Sequence, residues 1–313
     1  MDETDDPRRP VRRHVLTTMS ALAAGAVLPP LAALAAPADK PAGEGGSRTI
    51  LVTGSTNGAG RRVAERLAGP GTTVLVHGRN RERAEEVLAA IRTAGGEGRF
   101  YPADFAALAE VRGLAEALAR DCPRLDVLIN NAGIGTGRPG EGRQTSKDGY
   151  EMRFAVNYLA PFLLTRRLAP LLRTSRPARI VNVASSGQNQ IEFDDVMLTR
   201  GYGGQRAYGQ SKLALIMFTF DLAQELAGTG VTANCLHPAT YMDTAMVRES
   251  GISPWSSVDE GAAAILHLAV GPDMAERTGL YYDGLQPAHA SSQAYDREAR
   301  ARLRALSLQL TGS

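Results

Sequence analysis

The sequence predicts an α/β fold of the doubly wound kind, a seven-stranded, mostly parallel sheet with helices on both faces, in a single domain. Three observations predict it. From Arg48 onwards, strand-like and helix-like apolar runs alternate, the pattern of a parallel sheet whose crossovers are helices. A glycine-rich turn stands between the first strand-like run and the first helix-like one. No internal repeat divides the 313 residues, 43% of which are apolar, enough for one large core.

In chain order, the strand candidates are residues 49–53, 73–77, 98–102, 127–129, 179–184, 231–237 and 279–282. Helical patterns fall at 60–67, 81–93, 108–121, 149–172, 207–226 and 258–270, the last opened by Ser257 and Glu260 at capping-box spacing. The alternating block spans 48–290, and a tail helix is expected over 291–313, with Ala299, Leu303, Leu306 and Leu310 as its docking stripe.

Composition removes several function classes. A net charge of +2 gives no long-range pull towards nucleic acid. Cys122 and Cys235 are too few for a disulfide framework and lack metal-ligand spacing. His77, His237, His267 and His289 are scattered without ligand spacing and read as structural or surface groups, so no metal is expected.

Chemistry concentrates in Tyr208-Gly209-Gln210-Ser211-Lys212. Residues four apart share a helix face, so the phenol and the ammonium can point into one cleft. Nearby positive charge favours phenolate and would lower the Tyr208 pKa from its usual value of about 10. That would make a proton donor or acceptor usable near neutrality. Lysine occurs only at positions 40, 147 and 212, which makes such a pairing rare by chance.

The turn Gly54-Ser55-Thr56-Asn57-Gly58-Ala59-Gly60 follows Ile50-Leu51-Val52-Thr53 and opens a helix. Glycines there let the backbone approach a pyrophosphate, and the helix N-terminus offers free N–H groups; the fold is thus of Rossmann type. Its spacing, Gly-x3-Gly-x-Gly, departs from the Gly-x-Gly-x2-Gly dinucleotide fingerprint and resembles the short-chain dehydrogenase/reductase family.

Four further segments carry that resemblance across about residues 48–290: Asp104 ending the third strand, Asn130-Asn131-Ala132-Gly133 after the fourth, Val156-Asn157-Tyr158, and Ser185 in Ala184-Ser185-Ser186-Gly187. The resemblance implies that Asn157, Ser185, Tyr208 and Lys212 form a catalytic tetrad, with Asn157 positioning a water behind Lys212. It implies a cofactor site made of Gly54, Ser55, Asn57, Gly58, Ala59, Gly60, Asn80, Asp104, Phe105, Asn131, Ala132, Gly133, Tyr208 and Lys212, with Pro238, Thr240 and Thr244 after the sixth strand. Ala239 stands there where the family usually has glycine. The stretch between Ser185 and Tyr208 is longer than is common and resembles the retinol-dehydrogenase-like branch. Tyr241, Met242, Met246 and Trp255 are candidate pocket walls, and family members pair the helix after Tyr208 across a dimer axis, so a homo-oligomer is expected.

The second strand ends Val76-His77-Gly78-Arg79. A carboxylate at the Gly78 position would bond an NAD ribose and repel a 2′-phosphate. It is absent, and Arg79 offers a guanidinium suited to phosphate, so NADP(H) is expected over NAD(H). The implied activity is hydride transfer between NADP(H) and a small-molecule carbonyl or alcohol. Reduction of a conjugated carbon–carbon double bond, or a non-catalytic NADP(H)-binding sensor, are the alternatives.

Residues 1–36 read as a leader and 37–47 as a Pro/Gly linker. Arg12-Arg13 before a weakly apolar, Ala/Gly-rich run resembles a twin-arginine export signal. Pro29-Pro30 argues against a permanent membrane span. Export by that route is expected; Met19 as the true start would leave the chain cytoplasmic.

Overall fold

The computed structural model describes residues 47–313; the leader, the candidate start at Met19 and nearly all of the linker lie outside the described residues. The chain runs β1 (Arg48–Val52), α1 (Gly58–Leu67), β2 (Thr72–Gly78), α2 (Arg81–Thr93), β3 (Glu97–Pro102), α3 (Leu108–Asp121) and β4 (Val127–Asn130). It continues through α4 (Met152–Phe154), a π-helical turn (Ala155–Leu159), α5 (Ala160–Thr174), β5 (Ala178–Val183), α6 (Gly204–Glu225) and β6 (Val231–His237). It ends with α7 (Ala245–Glu249), α8 (Val258–Val270), β7 (Tyr281–Asp283), β8 (Gln286–Ala288) and α9 (Arg297–Thr311).

The strands form one sheet in the order β3-β2-β1-β4-β5-β6-β7-β8. All neighbours are parallel except β7 and β8. The sheet therefore has eight strands, not the expected seven. The extra one turns back at Gly284, whose φ of +56° suits a tight hairpin. It is three residues long and contains Pro287, which tolerates only an edge position and leaves no alternating pattern to read.

Alternation along β1 sends Ile50 and Val52 to one face and Leu51 to the other. One apolar layer packs with α1, α2 and α8, the second with α3, α5, α6 and α9. Strand order reverses between β1 and β4, so the C-terminal strand ends flank a crevice there, where ligands bind in open α/β sheets.

The single helix expected over 149–172 is interrupted. Gly149 takes a φ of +83°, and Thr145 bridges to Glu151. Ala160 then donates to the Ala155 carbonyl, five residues back. Pro161 has no N–H for the Asn157 carbonyl, and the wider turn lies just before it. Such turns are rare and cluster at functional sites. The tail stripe also differs: Ala299, Leu303, Ser307 and Thr311 are buried, while Leu306 and Leu310 are half-buried. Two hydroxyls can go inside because they bond the Leu303 and Ser307 carbonyls, and Ser307 meets the Tyr158 hydroxyl at 2.6 Å.

Candidate active site

The glycine turn is a cradle without room for side chains. Gly54 and Gly58 have φ of +64° and +55°, conformations glycine adopts freely. A Cβ on Gly60 would collide with the Asn131 amide and the Gly54 carbonyl, and one on Gly58 would press on the Thr244 methyl at 3.3 Å. Asn57 caps α1 by accepting from the Gly58 N–H at 2.8 Å. Bare backbone beside a capped helix N-terminus fits a dinucleotide pyrophosphate.

Two residues that the sequence reading did not single out for the site hold this cradle. The Thr53 hydroxyl accepts from the Asn131 and Ala132 N–H groups at 2.9 and 3.0 Å, and Asn131 Nδ2 donates to the Thr53 carbonyl at 2.9 Å, so the turns after β1 and β4 are joined. His77 Nδ1 accepts from the Gly54 N–H at 3.0 Å. Burial pushes the His77 pKa down to about 4, keeping the ring neutral. A strand-end histidine before Gly78-Arg79 was the available signal. Ser55 is wholly buried and exchanges hydrogen bonds with the His77 backbone, and Ala59 is also buried; both support the turn from behind.

At the end of β2, the Arg79 side chain is 74% exposed and lies 3.9 Å from Asp104. A Cβ on Gly78 would stand 2.7 Å from the Thr56 side chain, so the position is closed to a carboxylate. Asp104 accepts from the Ala106 N–H at 3.0 Å. Asn80 caps α2 through the Arg83 N–H at 2.8 Å, and Phe105 is a buried core ring tilted against His77.

The tetrad candidates converge at the C-terminal edge of the sheet. A Cβ on Gly133 would lie 3.2 Å from Asn157 Oδ1 and 3.5 Å from Lys212 Nζ; one on Gly187 would lie 3.5 Å from Ser185 Oγ and 3.9 Å from the Tyr208 ring. Asn157 accepts from the Ile134 N–H at 2.8 Å and donates to the Ile134 carbonyl and Ser211 Oγ, each at 3.0 Å. Its side-chain donors are thus taken by protein, which fixes the Gly133-Ile134 turn against α6. Ser185 Oγ accepts from the Gly187 N–H at 3.0 Å, and Tyr281 donates to the Ser185 carbonyl at 3.1 Å.

The expected depression of the Tyr208 pKa is not found. Burial raises it, and the neighbouring Ser185 hydroxyl only partly counteracts this. Lys212 lies 5.7 Å from the Tyr208 ring centroid and donates instead to the Val183 carbonyl at 2.9 Å. Burial lowers the Lys212 pKa to about 8. Desolvation disfavours charge on both groups. At neutral pH the pair is a neutral phenol beside a buried ammonium, a proton donor rather than a preformed phenolate.

Beyond β6, Pro238 is buried and the Thr240 hydroxyl meets His237 Nε2 at 3.0 Å. Thr244 caps α7 and reaches the glycine cradle. Met246 packs over Gly135, whereas Met242 turns to Gly261 on α8 and so belongs to the core. Tyr241 and Trp255 stack edge-on at 4.9 Å and remain exposed. Tyr241 has a φ of +46°, costly for a bulky residue and often found at functional sites.

A buried ion pair, also missed, braces the rim. Arg153 donates to the Gly135 and Thr136 carbonyls at 3.0 and 2.9 Å and to the Tyr202 hydroxyl at 2.7 Å, with Glu151 at 3.7 Å. Among the described residues there is no cluster of potential metal ligands and no helix long and apolar enough to cross a membrane.

Comparison with known proteins gives the same picture. Residues 48–253 match the family described as short chain dehydrogenase. Retinol dehydrogenase 13 of Homo sapiens is 36% identical over 285 residues, covering 85% of each chain. Polyprenol dehydrogenase of Mus musculus is 36% identical over 287 residues, covering 85% of this chain and 84% of its own. Among solved structures, a Pseudomonas aeruginosa RhlG/NADP active-site complex superposes with a TM-score of 0.63 at 30% identity, over 76% of this chain and 94% of that one. A fold that binds a nicotinamide dinucleotide and relatives named retinol dehydrogenase and polyprenol dehydrogenase lead to one assignment: this chain belongs to the short chain dehydrogenase family and is an oxidoreductase acting on CH–OH or C=O groups.

Proposed function

We propose that this protein is an NADP(H)-dependent carbonyl reductase and alcohol dehydrogenase for apolar substrates, with Tyr208 as the proton-transferring group. The observation that carries this is the convergence of Tyr208, Ser185, Lys212 and Asn157 beside the glycine cradle. When bound, the reduced nicotinamide supplies the hydride. Ser185 hydrogen-bonds the substrate oxygen, and the neutral Tyr208 phenol gives that oxygen its proton. Lys212 holds positive charge behind the phenol and steadies the phenolate left after transfer. Asn157 keeps Gly133-Ile134 and Ser211 in register around them.

NADP(H) is favoured by the missing carboxylate at Gly78, by the exposed Arg79, and by the NADP-bound neighbour. Retinol and polyprenol, named for the relatives, are long apolar alcohols; Met246, Tyr241 and Trp255 would suit such a partner. Oxidation of NADPH by retinal and by benzaldehyde, followed by absorbance, tests the reading. Turnover should fall by about 10²- to 10⁴-fold in Tyr208→Phe with NADPH binding unchanged. Near-full activity in that variant removes Tyr208 from the role.

Residues 1–36 are proposed as a twin-arginine-type export signal. Cell fractionation with N-terminal sequencing of the product tests it, an uncleaved cytosolic chain being the contrary result. Self-association through α6 is a weaker proposal in this chain. Asp221 and Glu225 on α6 pair with Arg300 and Arg304 of α9, and Phe220 stacks on Tyr295. Light scattering separates a monomer sealed by α9 from an oligomer.

A further inference from the structure

The long stretch between Ser185 and Tyr208 has no regular secondary structure over most of its length, yet its Gly187 lies beside both residues. Its fixed position comes from elsewhere in the chain. Gln293, in the 3₁₀ turn Ser292–Tyr295, accepts from the Ile191 N–H at 2.7 Å and donates to the Ile191 carbonyl at 3.2 Å. One side-chain amide thus satisfies both polar backbone groups of a buried residue about a hundred positions away, as a neighbouring strand would.

A second connection starts one turn nearer Ser185. The Ser291 N–H donates to Gln188 Oε1 at 2.7 Å, and Gln188 Nε2 donates to the Ser185 carbonyl at 3.0 Å. The peptide carrying the Ser185 side chain is thereby tied, through one glutamine, to the start of the tail. From the other side, Gln210 on α6 accepts from the Glu192 N–H at 3.1 Å and donates to the Val196 carbonyl at 2.8 Å. Gly209 lets the loop lie against α6, since a Cβ there would collide with Asn189. Arg302 of α9 adds a guanidinium 4.5 Å from the Phe193 ring centroid.

The tail itself is firmly seated. Besides the contact between Ser307 and Tyr158, Arg112 donates to the Thr311 carbonyl at 2.6 Å and Tyr150 to the Leu310 carbonyl at 2.9 Å. A rigid helix anchored on α3 and the π-helical segment therefore carries a turn that clamps the loop at Ile191.

We infer that the C-terminal segment 291–311 is a working part of the active site, and that Gln293 is a positioning residue for substrate, acting through the loop 187–196 that follows Ser185. This rests on the reading of Ser185 and Tyr208 as the reaction centre. Because neither Gln293 nor the loop 187–196 shares a hydrogen bond with the glycine cradle, the clamp should govern the carbonyl substrate and leave the cofactor alone.

The test compares the full chain with Gln293→Met, which keeps length and loses both bonds, and Gln293→Glu, which keeps the acceptor for the Ile191 N–H. In Gln293→Met, KM for the better of retinal and benzaldehyde should rise about tenfold, with kcat within about twofold and the dissociation constant for NADPH unchanged. Gln293→Glu should recover part of the KM. Hydrogen exchange in residues 187–196 should quicken in Gln293→Met and stay as in the unsubstituted protein in residues 54–64. An unchanged KM with unchanged exchange in 187–196 overturns the inference. So does a loss spread equally over NADPH binding and both segments, which would mark Gln293 as merely structural. If the unsubstituted chain turns over neither carbonyl, the proposed function fails while the exchange measurement still decides whether the clamp exists.

Discussion

Lys212 donates its buried ammonium to the Val183 carbonyl, 2.9 Å away, and not to the phenol of Tyr208 one helical turn before it. The lysine side chain therefore crosses from α6 to the end of β5, the strand that delivers Ser185. Ser185 Oγ and the Tyr208 ring both face Gly187. The strand end that carries Ser185 therefore also fixes the lysine ammonium.

The buried ammonium carries a stability cost. Its pKa is about 8 in the fold against 10.5 for an ordinary lysine. Between those values the unfolded chain holds a proton that the folded chain has lost, so stability rises as pH increases from 8 towards 10.5. Below 8 both states are charged and the full cost, about 3 kcal/mol, is present. Lys212→Met should remove that rise. It should leave the protein roughly 2 kcal/mol more stable at pH 7 after the lost hydrogen bond is counted, while abolishing turnover. Denaturant unfolding at pH 7 and pH 10 checks both signs.

His77 gives the acidic counterpart. Its ring is buried and neutral with a pKa of about 4, against 6.5 for a free histidine. Below pH 6.5 the unfolded chain takes up a proton that the fold refuses, so stability falls until about pH 4 and this group contributes no further loss beneath it. The contribution over that window is about 3 kcal/mol. His77→Asn places an amide oxygen where Nδ1 accepts from Gly54 and does not titrate. Urea midpoints at pH 7 and pH 4.5 should differ less in that variant than in the unsubstituted protein, with NADPH affinity at pH 7 retained.

Sequence periodicity was enough to read the parallel core because each buried strand and its crossover helix carry their own apolar pattern. The glycine turn and the order of Asn157, Ser185, Tyr208 and Lys212 were equally legible, since those residues must stand at strand ends and on one helix face. What the sequence concealed depends on contacts between distant segments. The direction of the Tyr208 shift is set by burial from several elements, which a spacing of four residues does not encode. Nothing local marks Thr53, Gln293 or Arg153 as partners of residues far along the chain. β8 escaped because three residues containing a proline have no periodicity.

Cofactor choice turns on the neighbours Gly78 and Arg79. Arg79→Ala should lower kcat/KM for NADPH about tenfold, the value of a charge-assisted contact at an exposed site, and leave NADH unaffected. Gly78→Asp introduces the ribose-binding carboxylate, but its Cβ would stand 2.7 Å from Thr56. Alone it should weaken both cofactors. Combined with Thr56→Gly it should raise NADH use. Steady-state kinetics with each cofactor distinguishes these outcomes.

The buried pair Arg153 and Glu151 makes the strongest stability prediction. Their side chains are 3% and 1% exposed, so neither charge has water to fall back on. Glu151 also accepts from the Phe154 N–H at 2.7 Å, starting the segment that bears Asn157. Arg153→Met would strand the Glu151 carboxylate and release the Gly135 and Thr136 carbonyls, at a cost of about 3–5 kcal/mol. Glu151→Gln added to Arg153→Met should cost less than the sum of the two single changes, because the stranded charge is gone and the amide still accepts from Phe154. Tyr202→Phe removes the hydroxyl that accepts from Arg153 and donates to Glu151 Oε1 at 3.4 Å, and should cost about 1–2 kcal/mol. Denaturant midpoints of the four proteins give the coupling directly. A near-zero coupling energy would mean that Arg153 is held by the two rim carbonyls, Tyr202 and Glu141, with Glu151 serving only as a helix cap.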